Sequence, residues 1–418
     1  MSAQSSAASP QSTLGWRTPV IILVGGCLIA LLSFGPRSAL GFFLTPLSQT
    51  HGWGRDVFGL ALAIQNLLWG VGQPFAGAVA DRYGAARVLT VGAVLYAIGL
   101  ALMAHASTPA SLSLTAGVLI GFGLSGCSFT IVIGAFGKLL PPQWRTTAFG
   151  VGTAAGSFGQ FLYSPLCVAL MDNYGWHNAL LVFAAVTMLI VPLSFIVMTP
   201  RLTPAQAAAA AARPDQSVRQ ALTEAFGHRS YVLLVLGFFT CGFQLAFVTV
   251  HLPAYLVDRG LSAEVGGWTL AIIGLFNIIG SMSSGWLAAR VPKRYVLSVI
   301  YFGRALSIVA FILLPATPFV TLVFGAVTGL LWLSTVPPTS GLVALMFGTR
   351  WLTMLFGFAF FSHQVGGFLG VWLGGVVFEY SGSYNPVWWL SVFFGVMSAI
   401  INLPIVEKPV DRPALAPA

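Results

Sequence analysis

Twelve long apolar stretches, broken by short charged or Pro/Gly-rich turns, limit what this chain can become. They fall near residues 18–47, 56–80, 86–106, 110–138, 146–171, 177–198, 231–257, 264–288, 295–315, 319–347, 352–378 and 386–405. A helix needs about twenty apolar residues to cross a hydrocarbon core, and a barrel strand only about ten of alternating polarity. These stretches have the helical length. Only 7% of the 418 residues are charged, against about 25% in an ordinary soluble chain. A soluble enzyme, a nucleic-acid-binding domain and a disordered chain are therefore excluded. The expected fold is an all-α polytopic membrane protein with twelve transmembrane helices and the lipid bilayer as its solvent.

Residues 1–17 are Ser, Ala and Gln rich and read as a cytoplasmic tail rather than a cleavable signal peptide, because no charged segment precedes a short apolar one. Residues 18–198 form an N-terminal six-helix half and 231–406 a C-terminal one; 407–418 is a second cytoplasmic tail. The linker at 199–230 changes character. Thr203-Pro204 opens a helix that runs through Ala207 to Ala212, and Ser217 with Gln220 forms a capping-box pattern ahead of Val218, Ala221, Leu222, Ala225 and Phe226 at helical spacing. The halves echo each other. Gly52, Gly59 and Gly77 recur as Gly260, Gly267 and Gly285, each 208 residues on, and Phe149-Gly150 recurs as Phe356-Gly357, 207 residues on. A chain of two parallel six-helix repeats predicts two pseudo-symmetric halves with a substrate site between them near the midplane.

The net charge of +9 acquires meaning only with location. With both termini inside, fifteen of the nineteen basic residues fall on the cytoplasmic side; Arg55 and Arg259 fall outside, and Arg37 and Arg304 within spans. This positive-inside bias sets a multi-pass orientation in an inner (plasma) membrane and removes the need for a nucleic-acid partner. Cys27, Cys127, Cys167 and Cys241 lie in apolar runs without metal or redox spacing. No Walker loop, metal cluster or nucleophile–base pair occurs, so we expect neither an enzyme nor a cofactor. The expected state is a monomer.

Polar residues inside the spans carry the functional signal. Arg37 lies about ten residues from the outer end of its span, roughly 15 Å deep, too far to snorkel with ease. A cation there costs several kcal/mol unless it faces a cavity or a partner. None of the ten Asp and Glu lies well inside a span. The partner of Arg37 is then a neutral group or a substrate anion. His363-Gln364 lies near the centre of the eleventh span, where a histidine can donate to the substrate or carry a proton, its residue type being the one that changes charge between pH 5 and 8. Arg304, at mid-depth in the ninth span, is either a second substrate contact or a structural cation. Gln65, Asn66 and Gln73 in the second span, Gln160 and Tyr163 in the fifth, and Gln244 in the seventh either tie helices together or line the pathway. Gly150, Gly156 and Gly159, with Gly366, Gly370 and Gly374, give small faces for close packing.

The segment Gly77-Ala78-Val79-Ala80-Asp81-Arg82-Tyr83-Gly84-Ala85-Ala86-Arg87 resembles the signature loop of the major facilitator superfamily. The resemblance implies the major facilitator fold and a cytoplasmic gate made by Asp81, Arg82 and Arg87. Ser33-Phe34-Gly35-Pro36-Arg37-Ser38 resembles the first helix of monocarboxylate transporters, where a lysine meets the substrate carboxylate; Arg37 falls on that position. His251-Leu252-Pro253 to Gly260-Leu261-Ser262 is similar to the end of the seventh helix in bacterial members. Asn277 and Ser281 stand where that group usually carries an Asp and an Arg, so its second anchor is missing. By spacing from Phe356-Gly357, His363 resembles the substrate-binding lysine of the oxalate–formate antiporter.

The expected function is secondary active transport of small organic anions, monocarboxylates first, by symport or exchange and with protons as the candidate coupling ion. The candidate substrate-binding residues are Arg37, His363, Gln364, Gln65, Asn66, Gln160, Tyr163, Gln244, Asn277, Ser281 and Arg304. The alternative is a multidrug or amphiphile efflux pump of the same superfamily. That class gains from the 13% aromatic content and loses from the lack of an embedded acid. A neutral-sugar permease would leave Arg37 without an anion.

Overall fold

The computed structural model describes residues 16–53, 55–199 and 216–410. The Thr203-Pro204 helix start, the Ala207 to Ala212 run, Arg201, Arg213 and Arg412 lie outside the described residues. Every regular element among those described is helical. Among the described residues, ten helices are long and apolar enough to cross a membrane. Two further rods carry more polar residues: Arg55–Tyr83 and the first arm of Arg145–Thr187. With them the number is consistent with twelve crossings.

We number the rods α1 (Pro19–Ala39), α2 (Arg55–Tyr83), α3 (Ala85–Met103), α4 (Pro109–Leu139), α5 and α6 (the two arms of Arg145–Thr187, bent at Gly175, the second continued by Ile190–Ser194), α7 (Arg229–Asp258), α8 (Ala263–Ala288), α9 (Lys293–Leu313), α10 (Pro318–Phe347), α11 (Leu352–Ser381) and α12 (Asn385–Asn402). Local chemistry starts several of them. Thr18-Pro19, Thr108-Pro109 and Thr317-Pro318 each place a capping hydroxyl before a proline in the first turn. The last two pairs stand 209 residues apart, at matching places in the halves. A short helix, Val218–Gly227, precedes α7. Ser217 Oγ accepts from the Gln220 amide at 3.2 Å, while Gln220 Oε1 accepts from the Ser217 amide at 2.8 Å.

The repeat visible in the glycines is also conformational. Gly52 and Gly260 both take positive φ, 68° and 81°, and so do Gly175 and Gly382, at 77° and 67°. Each ends a helix in equivalent turns, where a side chain would strain the left-handed backbone.

Two rods are discontinuous. α4 breaks at Ser128, whose ψ of 162° is extended. α10 breaks between Leu331 and Val336. These breaks fall at matching positions of the two halves, and both border the cavity described below.

The halves meet along α2 against α11 and α5 against α8. At the end of the bundle that carries Asp81, Lys138, Arg290 and Lys293, these contacts are backbone-close. A Cβ on Gly77 would sit 2.6 Å from the Thr353 carbonyl oxygen, and one on Gly285 would sit 2.9 Å from Gly150 Cα. Toward the opposite end, Gly59, Gly267 and Gly274 have open space around them. The bundle is closed at its basic end and parted at the other.

Candidate functional site

A cavity of about 100 Å³ lies between the halves. α1 supplies Phe34 and Arg37, α2 supplies Asn66 and Trp69, and Phe129 comes from just past the break in α4. Phe238, Gly242, Leu245, Ala246, Thr249 and Val250 come from α7, Leu333 and Val336 from the break in α10, and Phe360, His363, Gln364, Gly367 and Val371 from α11. The wall carries Arg37 and no carboxylate.

Arg37 sits one residue after Pro36, on a stretch of α1 where Gly35 admits the ring of Tyr163. Its Nη2 donates to Asn66 Oδ1 at 2.6 Å. Its guanidinium lies 5.3 Å from the centre of Trp69 and 5.8 Å from that of Phe34. Aromatic faces attract such a cation without neutralising it. The remaining guanidinium donors make no hydrogen bond among the described residues. Arg37 is only half-buried and lines the cavity.

Opposite, His363 Nδ1 lies 3.1 Å from Gln364 Oε1, and Gln364 Nε2 donates to the Asn66 carbonyl at 3.2 Å. Asn66 therefore ties α2 to Arg37 through its side chain and to α11 through its backbone. His363 is buried, stacked on Phe360 at 5.4 Å and tilted against Phe238 at 5.2 Å.

Of the sequence candidates, the structure gathers Arg37, Asn66, His363 and Gln364 around the cavity. The others lie off it. Gln65 is buried and donates to the Ala116 carbonyl at 2.7 Å, where α4 runs as a wide π-helical turn. Tyr163 packs on Gly35 and on Phe183, so it shapes α1 behind Arg37. Gln160 is half-buried on α5, away from the cavity lining. Gln73 accepts from Trp69 Nε1 at 3.2 Å and from Ser128 Oγ at 2.7 Å, which ties α2 to the break in α4.

Four residues hold the second break or its surroundings. Arg304 Nε donates to the Leu331 carbonyl at 2.9 Å, and Nη2 donates to the Leu331 and Trp332 carbonyls. These acceptors are the ones a broken helix leaves without partners. Gln244 accepts from Arg304 at 3.4 Å and donates to the Ser391 carbonyl at 2.9 Å. Asn277 donates to Ser157 Oγ at 2.7 Å, across the α5–α8 seam, and accepts from the Leu333 amide at 3.0 Å. Ser281 Oγ donates to the Asn277 carbonyl. Of the two readings open for Arg304, the structural one matches this geometry.

The residues missed from sequence are the aromatic wall and Lys138. Asp81 is buried at the basic end. It accepts from Thr353 Oγ1 and the Met354 amide, both at 2.8 Å and both at the start of α11, and pairs with Lys138 Nζ at 2.7 Å. Arg82 and Arg87 are exposed, with the Arg82 guanidinium over the ring of Tyr83. Asp81 joins the halves through Thr353 and Met354, while its ion pair with Lys138 lies within the N-terminal half. Asp81→Asn should weaken this closure by about tenfold or more, because hydrogen bonds to a charged acceptor contribute roughly 1.5–3 kcal/mol. Labelling of single cysteines placed at each end would report it. Unchanged labelling together with weakened substrate affinity would contradict a closure role.

A sequence profile described as the Major Facilitator Superfamily matches residues 26–371. Relatives include an uncharacterized MFS-type transporter, YcxA, of Bacillus subtilis, 28% identical over 89% of this chain and 91% of that one. Human monocarboxylate transporter 11 is 25% identical over 92% of this chain and 81% of its own. Among solved structures, the transporter FucP in the outward conformation superposes with a TM-score of 0.74 at 16% identity, covering 93% of this chain and all of that one. The proton:xylose symporter XylE, bound to 6-bromo-6-deoxy-D-glucose, gives 0.70 at 15% identity, covering 93% and 96%.

Proposed function

Since the chain belongs to the Major Facilitator Superfamily and is thus a multi-pass membrane transporter, we propose that it is a secondary carrier of small organic anions, monocarboxylates first, working by alternating access. The observation that carries this reading is Arg37, a permanent cation on the wall of a cavity without a carboxylate. In such a low-dielectric site a fixed positive charge favours an anionic solute. Asn66, Gln364 and His363 supply the neutral polar contacts that orient it. The similarity to monocarboxylate transporter 11 supports the same substrate class.

In this proposal the basic end faces the cytoplasm, with both termini inside, and the structure is the outward-facing state. The bonds of Asp81 to Thr353 and Met354 and the glycine contacts hold the inner side shut while the cavity opens outward. Substrate binding between the halves draws the outer ends together, and the inner contacts then part. Initial uptake of radiolabelled lactate, pyruvate and oxalate into vesicles holding the purified protein tests this. Carriage of none of these or of other carboxylates, alongside export of cationic or neutral dyes, would overturn it. That outcome would favour the second reading, efflux of drugs or other amphiphiles, for which the aromatic wall is the supporting observation.

Proton coupling in this proposal runs through His363, the histidine on the cavity wall. Protonated, it would place a second positive charge across the cavity from Arg37, unfavourable when empty and favourable with a carboxylate between them. Proton and anion binding then assist each other, as linkage requires. Uptake by the wild-type protein should rise as the outside pH falls. His363→Gln should flatten that profile and leave exchange at fixed pH running. A variant with an unchanged profile that still concentrates substrate under a proton gradient would remove His363 as the carrier.

A further inference from the structure

We propose that Cys241 is the membrane-embedded acid of this carrier: its sulfur and His363 Nε2 hold the coupling proton between them, behind the cavity and beside Arg304. This rests on the proton-coupled anion reading above and gives the proton a second partner. None of the ten Asp and Glu lies well inside a span, so a thiol takes the place that a carboxyl would otherwise fill.

The tautomer of His363 follows from its neighbour. Gln364 Nε2 donates to the Asn66 carbonyl, so Gln364 Oε1 is the atom that meets His363 Nδ1 at 3.1 Å. An amide oxygen only accepts, which puts the hydrogen on Nδ1 and leaves the lone pair on Nε2. His363 is 6% exposed. Its Nε2 is sealed from solvent, and no nitrogen or oxygen among the described residues donates to it. Cys241, fully buried on α7, lies within hydrogen-bonding reach of the ring. Its neighbour Gly242 lines the cavity, as His363 does, and Cys241 does not. His363 therefore touches both the cavity and the thiol behind it.

The sulfur is surrounded by donors. Thr335 Oγ1 donates to it at 3.3 Å and Arg304 Nη2 at 3.6 Å. Thr335 stands at the start of Val336–Phe347, the second segment of α10, yet its hydroxyl does not cap that helix and goes to the sulfur instead. The sulfur thus faces the N-terminal end of a helix, where an anion is favoured. A thiolate uses these donors fully and gives Arg304 a charged partner, which its carbonyl contacts do not. Tyr301 on α9 is the other ionisable side chain near the sulfur. α12 carries none, and the acid of α8, Glu264, stands in the first turn of that helix. The step balances simply. A proton adds to the thiolate to give Sγ–H, and its hydrogen is shared with the Nε2 lone pair. Without the proton, Arg304 and the thiolate cancel. With it, one net positive charge stands behind the cavity, and an anion on Arg37 binds more readily. By linkage the anion then favours the proton in return.

The test reads the S–H stretching band by infrared spectroscopy on the purified full chain. Replacing Cys27, Cys127 and Cys167 by alanine leaves a band that belongs to Cys241 alone. That band should grow as the pH is lowered, and grow again when L-lactate is added at fixed pH. A band that ignores pH, or one that titrates without answering to lactate, would overturn the proposal. The transport arm uses vesicles with an imposed proton gradient, read against empty vesicles. With one proton per anion, a gradient of about one pH unit sustains about tenfold accumulation. The wild-type protein should approach that value and Cys241→Ala should stay near equality. Cys241→Asp, which puts a carboxyl at the same place, should recover part of the accumulation. Arg304 keeps its bonds to the Leu331 and Trp332 carbonyls in both variants; where either fails to fold, the infrared arm decides. Accumulation by Cys241→Ala equal to that of the wild-type protein would overturn the thiol as the proton site and leave the Arg37-based anion reading standing. No uptake of any carboxylate by the wild-type protein, beside a band that still titrates, would overturn the anion reading and the coupling role with it.

Discussion

Replacement of Arg37 by alanine is expected to lower anion uptake by at least about a hundredfold without loss of folding or insertion. A desolvated, hydrogen-bonded charge contact typically costs about 3–5 kcal/mol when one partner is removed, and each 1.4 kcal/mol is a factor of about ten. Arg37 contributes no protein ion pair. Its hydrogen bond runs to the neutral Asn66 and its flanks are aromatic. Deleting this cation therefore breaks no structural ion pair. The alanine variant should melt at the same temperature as the wild-type protein. Loss of function without loss of stability is the combined signature. Arg37→Lys should keep partial activity, since the charge stays while the planar fork is lost. Near-normal uptake by Arg37→Ala would refute the assignment; a strongly lowered melting temperature would recast Arg37 as a structural residue.

The second large effect concerns closure. Gly150 and Gly285 let α5 and α8 meet main chain to main chain. A Cβ on Gly150 would sit 2.7 Å from the Ser281 carbonyl oxygen and 3.0 Å from Gly285 Cα. Backbone atoms on both sides cannot yield as the tip of a side chain would. Gly150→Val should force the basic ends apart and depopulate the structure described here, with transport falling by about a hundredfold or more. Gly267→Val should act in the opposite sense. Gly267 is free of neighbours here, and its place toward the other end of α8 makes it the analogous contact when the outer side shuts. The two variants should give reciprocal labelling of cysteines placed at the two ends. A full reversal of a two-state balance takes about 5.5 kcal/mol, within reach of a main-chain clash. Equal labelling of Gly150→Val and the wild-type protein would show that the seam adapts instead.

The all-helical fold, its repeat and its signature loop were legible in the sequence because each rests on a periodic or spaced feature. Twenty-residue apolar runs are not compatible with other structures in lipid, and the paired glycines mark turns and contacts that the halves share. The breaks were less visible. Pro337-Pro338 opens the second segment of α10, a helix-start signal, yet inside a long apolar run it reads as a kink. Ser128 in α4 has no proline to mark it. The polar residues Arg304, Asn277 and Gln244 look in sequence like a pathway, because a membrane span rarely carries such groups for another reason. What the sequence lacked was the set of main-chain groups released by a broken helix, which only the folded chain displays. The aromatic wall was hidden for the opposite reason. With 32 phenylalanines in the chain, those facing lipid, such as Phe75, Phe302 and Phe319, have the same local sequence character as those facing the cavity.

The break in α10 has a consequence for how such a carrier changes over time. Its freed carbonyls are satisfied from behind by Arg304, while Asn277 holds the Leu333 amide. The cavity side of the same region presents the plain side chains Leu333 and Val336. Scaffold and wall are thus built from different residues. Substitutions among the wall side chains can drift from one solute to another at little cost to assembly, whereas the arginine and asparagine behind them leave almost no room for change. A lineage carrying this bundle would be expected to diversify in diet long before it diversifies in shape.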